Sequence, residues 1–227
     1  MNLIKKYGLF IYWLVLLLDC LLIFTQDFSY RWYTKLLLVP ILVVYVILHE
    51  RKHHHFALRI TYFSAMAAAW LSDALLLVDT NSYFSASVWA SAAMHFCYMF
   101  FFLRLKPLNL KVPEQTVTAL LIFIVINFFL IKFVQNDVKM SVLPLWLYTV
   151  LAGLAIAFCA NVLNSSVRKR LALNNFLPAM VLFFFSDAFM LVNKFKFQEN
   201  FLDIVAMLSY GYAQYTMAIG SRKVLKS

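Results

Sequence analysis

Eight apolar runs, separated by brief polar connections, dictate what this chain can fold into. They are Tyr7–Thr25, Lys35–His49, Ala57–Val78, Tyr83–Arg104, Gln115–Val134, Val142–Leu163, Leu173–Val192 and Phe201–Ser221. A helix rises about 1.5 Å per residue, so about 20 residues cross a hydrocarbon core roughly 30 Å thick. Only a helix or a closed barrel satisfies its backbone there, and continuous apolar runs of this length fit helices. Composition agrees: 64% of the residues are hydrophobic and 13% charged, against roughly half and a quarter in soluble domains. The expected fold is all-α, a polytopic membrane helix bundle of about eight transmembrane helices in one transmembrane domain. The second run is short and holds Pro40, which predicts tilt or a kink. The first run follows Lys5 and Lys6 like a signal sequence but lacks a small-residue cleavage site, so it reads as a retained helix.

Twenty Lys and Arg stand against ten Asp and Glu. In a soluble protein that excess suggests nucleic acid; here no basic stripe alternates with exposed aromatics, so no nucleic-acid partner is expected. The basic residues sort by membrane side instead. Fourteen fall on the side of both termini, among them Lys5, Lys6, Arg51, Lys52, Arg104 and Arg168–Arg170. Six fall on the other: Arg31, Lys35, Lys132, Lys139, Lys194 and Lys196. The positive-inside rule then puts both termini in the cytoplasm. Cys20, Cys97 and Cys159 lie singly in apolar runs and read as packing residues. The run His53–His55 beside Arg51 and Lys52 reads as solvated loop.

Within the apolar runs one short stretch occurs twice, Ser72-Asp73-Ala74 and Ser186-Asp187-Ala188. An acid at membrane depth costs about 2.5 kcal/mol or more on insertion scales and must face the bundle interior, which marks it for function. The two acids are 114 residues apart with an even number of runs between equivalent points. That spacing predicts a parallel internal duplication, with half-repeats of approximately 1–112 and 113–227. Asp19 has no such twin and is expected to pair locally. Asp203 suits the positive end of its helix dipole.

The third run carries Ala65, Ala68, Ala69 and Ser72 at helical spacing, a face on which a neighbour can approach closely. The fourth carries Ser87, Ser91, His95 and Tyr98 on one stripe, and the eighth Asp203, Met207, Tyr210 and Gln214. Each stripe follows an Asp-bearing run by a short connection. A polar pocket bounded by Asp73, Asp187, His95, Tyr210, Gln214 and Lys35 is the natural inference. No phosphate loop, nucleophile elbow or zinc-binding helix motif occurs, so neither a metal nor a cofactor is called for. Two carboxyls that share a dry pocket need not share a protonation state, and one acid with one anion is the division that glycosidases use on acetal-like bonds.

The same residues resemble a known family. Thr34-Lys35-Leu36-Leu37 is similar to its Thr-Lys-Pro-Leu opening of the second span. Ser72-Asp73 with His95-Phe96-Cys97-Tyr98 resembles its Gly-Asp or Ser-Asp motif and following His-x-x-Tyr. Ser186-Asp187 with Asn193-Lys194-Phe195, and Tyr210-Gly211-Tyr212-Ala213-Gln214, resemble its second Ser-Asp motif, its Asn-Arg-Phe ending and its Tyr-x-x-Ala-Gln span. The family is YhhN-like and includes the animal lysoplasmalogenases. Ser72 stands where Gly is usual and Leu36 where Pro is usual, and neither departure removes a reactive group.

The resemblance implies an eight-helix hydrolase that cleaves the vinyl-ether bond of lysoplasmalogens to a fatty aldehyde and a glycerophospho head group, without metal. Its partners would be a lysophospholipid substrate and the surrounding membrane lipids. Asp73 and Asp187 would be catalytic. His95, Tyr98, Tyr210, Gln214 and Asn193 would position groups, and Lys35 would hold the phosphate or a carboxylate. The alternative is a non-enzymatic carrier of lipid or small solute, which parallel repeats also permit. Against it, four Gly and five Pro leave little material for the broken helices common in transporters.

Overall fold

A computed structural model describes residues 2–49, 56–78, 80–108, 114–138 and 142–226. The His53–His55 run and the expected half-repeat boundary at residues 112 and 113 lie outside the described residues. Every regular element among them is helical, and eight long helices make up the fold. These are α1 (Asn2–Phe24), α2 (Arg31–Ile47), α3 (Phe56–Leu76), α4 (Asn81–Leu105), α5 (Glu114–Val134), α6 (Leu143–Val162), α7 (Lys169–Phe197) and α8 (Asn200–Lys226). Sequential neighbours pack as pairs, α1 on α2, α3 on α4, α5 on α6 and α7 on α8. The pairs join through α4 on α6 and through α8, which touches α1, α2 and α3 as well as α7.

Six of the eight are long and apolar enough to cross a membrane. The two that fall short of that apolarity, α3 and α8, have 21 and 27 residues and so match the others in reach. Their sequences go instead into small and polar residues that meet other helices. On α3 the buried face includes Ala65, Ala69, Ser72 and Asp73; on α8 it includes Ala206, Gly211, Ala213, Gln214 and Gly220. Lipid sees little of such a face, so its composition is set by helix contact rather than by the bilayer. By contrast α5 turns Leu121, Ile122, Val125 and Phe129 outward.

Several boundaries differ from the apolar runs for physical reasons. The second helix starts at Arg31, four residues before its run, because Arg31 pairs with Asp19 and a 3₁₀ turn over Phe28–Tyr30 feeds it. Pro40 sits within α2 without ending it. The helix α7 continues past Val192 through a widened turn at Asn193–Phe197 and ends on Gln198 in the left-handed conformation (φ 58°), whose N–H bonds the Asn193 carbonyl at 2.8 Å. A left-handed residue closing a helix is a common C-terminal device, usually filled by Gly.

Close approach between α7 and α8 requires glycine at Gly220. A Cβ there would lie 2.5 Å from the buried Phe176 ring and 3.0 Å from the Asn175 Cβ. Overpacking of this kind costs about 1–3 kcal/mol. Gly220→Ala is therefore expected to lower the thermal unfolding midpoint of the detergent-purified protein, and an unchanged midpoint would show that α7 and α8 pack less tightly than described.

Candidate active site

The two repeated acids are the centre of the polar interior, and each is turned inward by the serine before it. Ser72 Oγ donates to the Ser87 carbonyl (3.0 Å) and lies 2.8 Å from Ser91 Oγ, fastening α3 to α4. Ser186 Oγ donates to the Ala206 carbonyl (2.8 Å), fastening α7 to α8. The next residue on each helix lies about a quarter turn further round and reaches the space between the pairs.

Asp73 meets two partners from other helices. Lys35 Nζ on α2 lies 3.8 Å from Oδ1, and the Tyr210 hydroxyl on α8 donates to Oδ2 at 2.5 Å. Gln214 Nε2, one turn along α8, donates in turn to the Tyr210 oxygen at 3.0 Å. Asp187 has a parallel set. The Tyr148 hydroxyl on α6 donates to its Oδ2 at 2.5 Å, and His95 Nε2 on α4 lies 3.9 Å from the same oxygen. Hydroxyl-to-carboxyl contacts of this length lie at the short end of the O–H···O range. Both ring nitrogens of the buried His95 lack a hydrogen-bond partner among the described residues. The 3.9 Å gap is too long for a direct bond and suits a bridging water.

These contacts repeat across the two halves of the sequence. Lys35 and Tyr148 are 113 residues apart, Asp73 and Asp187 114, and His95 and Tyr210 115. Each carboxyl thus takes one contact from the second helix of its own four and one from the last helix of the other four. The positions match while the side chains differ: a cation beside Asp73 where Asp187 has a phenol, and an imidazole beside Asp187 where Asp73 has a phenol.

Both carboxyls line one cavity of about 680 Å³ between α2, α3, α4, α7 and α8. That volume lies within the range of sites for ligands of a few hundred daltons. Its inner walls include Ala69, Met94, Phe183, Ala206 and Met207, the adaptable apolar surface that suits a flexible chain. Its charged lining among the described residues is balanced: Arg31, Lys35 and Lys194 against Asp73, Asp187 and Asp203. On the far side of Asp187 a void of about 30 Å³, bordered by Ser91, Asn127, Tyr148 and Thr149, has room for roughly one or two waters. His, Cys and carboxylate side chains form no group of three that could hold a metal ion among the described residues.

Of the residues singled out from the sequence, Lys35, Asp73, Asp187, Asn193 and Tyr210 line the cavity. His95 and Gln214 stand one layer behind, each against a residue that does. Tyr98 is placed apart: its hydroxyl points to Met66 Sδ (3.6 Å) and its ring packs near Phe183. Asn193 bridges α7 to α8, donating to Asp203 Oδ1 (2.7 Å) and the Glu199 carbonyl (3.0 Å). Asp19 is buried between Thr34 (2.6 Å) and Arg31 (3.4 Å). Four lining or supporting residues were not singled out as a site: Tyr148, Arg31, Lys194 and Asp203. Tyr148 carried a usable signal, since it falls within one residue of the 114-residue offset from Lys35.

Removing one member of a buried ion pair typically costs about 3–5 kcal/mol, because the other charge is left uncompensated. Lys35→Met is expected to lose stability on that scale, and Lys35→Met with Asp73→Asn to regain most of it. Additive losses in chemical denaturation would show that the two groups are not energetically paired.

The sequence was also compared with known proteins. No curated protein and no solved structure matches it. The YhhN family model matches residues 30–221, a stretch that contains both carboxyls, their four partners and every cavity-lining residue named above. The chain belongs to the YhhN family.

Proposed function

We propose that this membrane protein is a hydrolase that cleaves the vinyl-ether bond of lysoplasmalogen-like lysophospholipids, with Asp73 and Asp187 as its acid/base pair. The observation that carries the reading is that two differently partnered carboxyls share one cavity with apolar inner walls and a charged lining. Such a space fits an amphiphile whose reactive bond lies where its chain meets its head group.

The chemistry asks for little more. A carboxyl delivers a proton to the vinyl carbon remote from oxygen, which leaves an oxocarbenium ion. The second carboxyl, as an anion, stabilises that cation and takes a proton from the water that adds to it. The hemiacetal then breaks its C–O bond, the departing glycerol oxygen gains the proton, and a fatty aldehyde is released; one water is consumed. Tyr210 with Gln214 holds Asp73, and Tyr148 holds Asp187. Lys35, which lines the cavity beside Asp73, serves that carboxylate. His95 and the void beside Asp187 keep water next to that carboxyl.

The chain reads as two parallel half-repeats, and the matching contact positions around Asp73 and Asp187 support this. With both termini in the cytoplasm, as the Lys/Arg count favours, the cavity opens at the opposite face. The turns that border it, from Phe28 to Arg31 and from Lys194 to Asn200, are at that end.

Detergent-purified protein is expected to release fatty aldehyde from a lysoplasmenyl lipid. General acid/base groups contribute about 10²–10⁴-fold, so Asp73→Asn and Asp187→Asn should each lower kcat by at least about 10²-fold while the unfolding midpoint stays measurable. Full turnover by either variant would remove that carboxyl from the mechanism.

A further inference from the structure

Two spaces meet at one wall of the bundle. The large cavity and the void of about 30 Å³ are both lined by Phe84 and Ser91 from α4 and by Asp187 and Met190 from α7. Asp187 is the titratable residue of that wall and borders both spaces, whereas Asp73 borders the large cavity and not the void. A lipid that fills the large cavity displaces the water in it, so water for a hydrolysis has to stand elsewhere. The void has room for roughly one or two waters and lies behind a carboxyl that faces the lipid.

The hydroxyls that line the void have their hydrogens engaged elsewhere. Ser87 donates to the Phe84 carbonyl (2.7 Å), Thr149 to the Leu145 carbonyl (2.9 Å) and Tyr148 to Asp187 (2.5 Å). Ser72 donates to the Ser87 carbonyl, so in its contact with Ser91 the hydrogen is that of Ser91. Asn127 is the outlier of α5, 2% exposed and set in an otherwise apolar stretch. It lines the void, and its Nδ2 donates to the Phe123 carbonyl one turn earlier at 3.0 Å. Its Oδ1 accepts no hydrogen bond among the described residues. A buried amide oxygen left without a partner is costly, and a water in the void removes that cost. Such a lining suits a molecule that brings its own hydrogens. A water held through its hydrogens keeps its oxygen lone pairs free for attack.

We propose that this void is the seat of the hydrolytic water, that Asn127 holds the water through its Oδ1, and that Asp187 is the carboxyl that takes its proton. The inference rests on the proposed vinyl-ether hydrolysis and adds which carboxyl meets the water and what presents it. Asp73, which borders the cavity alone, then delivers the proton to carbon. As the water oxygen bonds to the oxocarbenium carbon, the π pair of the C=O bond returns to the ether oxygen and one water hydrogen passes to Asp187. That proton goes on to the departing glycerol oxygen, and the hemiacetal hydroxyl proton returns to Asp73, so both carboxyls are restored.

The test follows deuterium in unreacted substrate. Carbon protonation is the slow step of vinyl-ether hydrolysis, so wild type in D₂O is expected to leave the remaining lysoplasmenyl lipid free of deuterium. Where water addition is impaired, the oxocarbenium gives a proton back and the vinyl carbon remote from oxygen exchanges. One hydrogen bond to the water contributes up to about tenfold in that step. Asn127→Leu, and independently Thr149→Val, should lower kcat by up to about tenfold with KM unchanged and leave deuterium at that carbon. Their unfolding midpoints report folding. Asp187→Asn should exchange deuterium with little aldehyde released, and Asp73→Asn should do neither. Wild-type kcat in Asn127→Leu overturns the inference. So does slower turnover without exchange, which is what a merely structural loss gives, and so does the reversed pattern in the two aspartate variants. No aldehyde from folded wild type overturns the hydrolase reading and this inference with it, so wild type alone tells the two failures apart.

Discussion

A carboxyl at membrane depth has to be met by the protein itself, and that requirement organises this bundle. Asp19, Asp73 and Asp187 are each engaged by side chains from other helices, and each engagement ties helices together. Asp19 joins α1 to α2 through Thr34 and Arg31. Asp73 joins α3 to α2 and α8 through Lys35 and Tyr210. Asp187 joins α7 to α6 through Tyr148 and brings α4 close through His95. Any of these acids left unmet would cost several kcal/mol in hydrocarbon, so the polar contacts fix which helices lie side by side while apolar packing fills the rest. α3 and α8 are the two helices whose sequences are least lipid-like, and both bury faces of small and polar residues against their neighbours.

Much of this was legible in the sequence because membranes impose length and apolarity together. The eight runs became eight helices, with ends moved wherever a charge found a partner inside the fold, as Arg31 did. The Ser-Asp pairs were legible because an acid in an apolar run has few places to go. Tyr148 was harder to see: a tyrosine in a membrane span is unremarkable by itself, and the residue 113 positions before it that makes the matching contact is a lysine, so position is kept while chemistry is not. Tyr98 shows the converse. Helical spacing put it on the stripe of His95, but spacing says nothing about which neighbour each level of a helix meets, and at its level the neighbours are Met66 and Phe183. The mouth of the cavity depends on two turns, near Phe28 and Gln198, and turn geometry carries no apolar period to read.

The cavity holds two carboxyls in unlike surroundings, one beside an ammonium and a phenol, the other beside a phenol and an imidazole. Towards the turns at its mouth the cavity lining holds Arg31, Lys194 and Asp203. Unlike partners around two identical groups are a direct way to give those groups different properties, since each residue change around one acid leaves the other untouched.

The central claim is that these carboxyls protonate carbon and then direct water to the resulting cation. Its most direct test is the product formed by purified protein from a lysoplasmenyl lipid in D₂O, reduced at once to the alcohol to prevent exchange. The account predicts a single deuterium on the carbon next to the former carbonyl, with turnover slower than in H₂O. Aldehyde lacking that deuterium, or no aldehyde from folded protein, would contradict it.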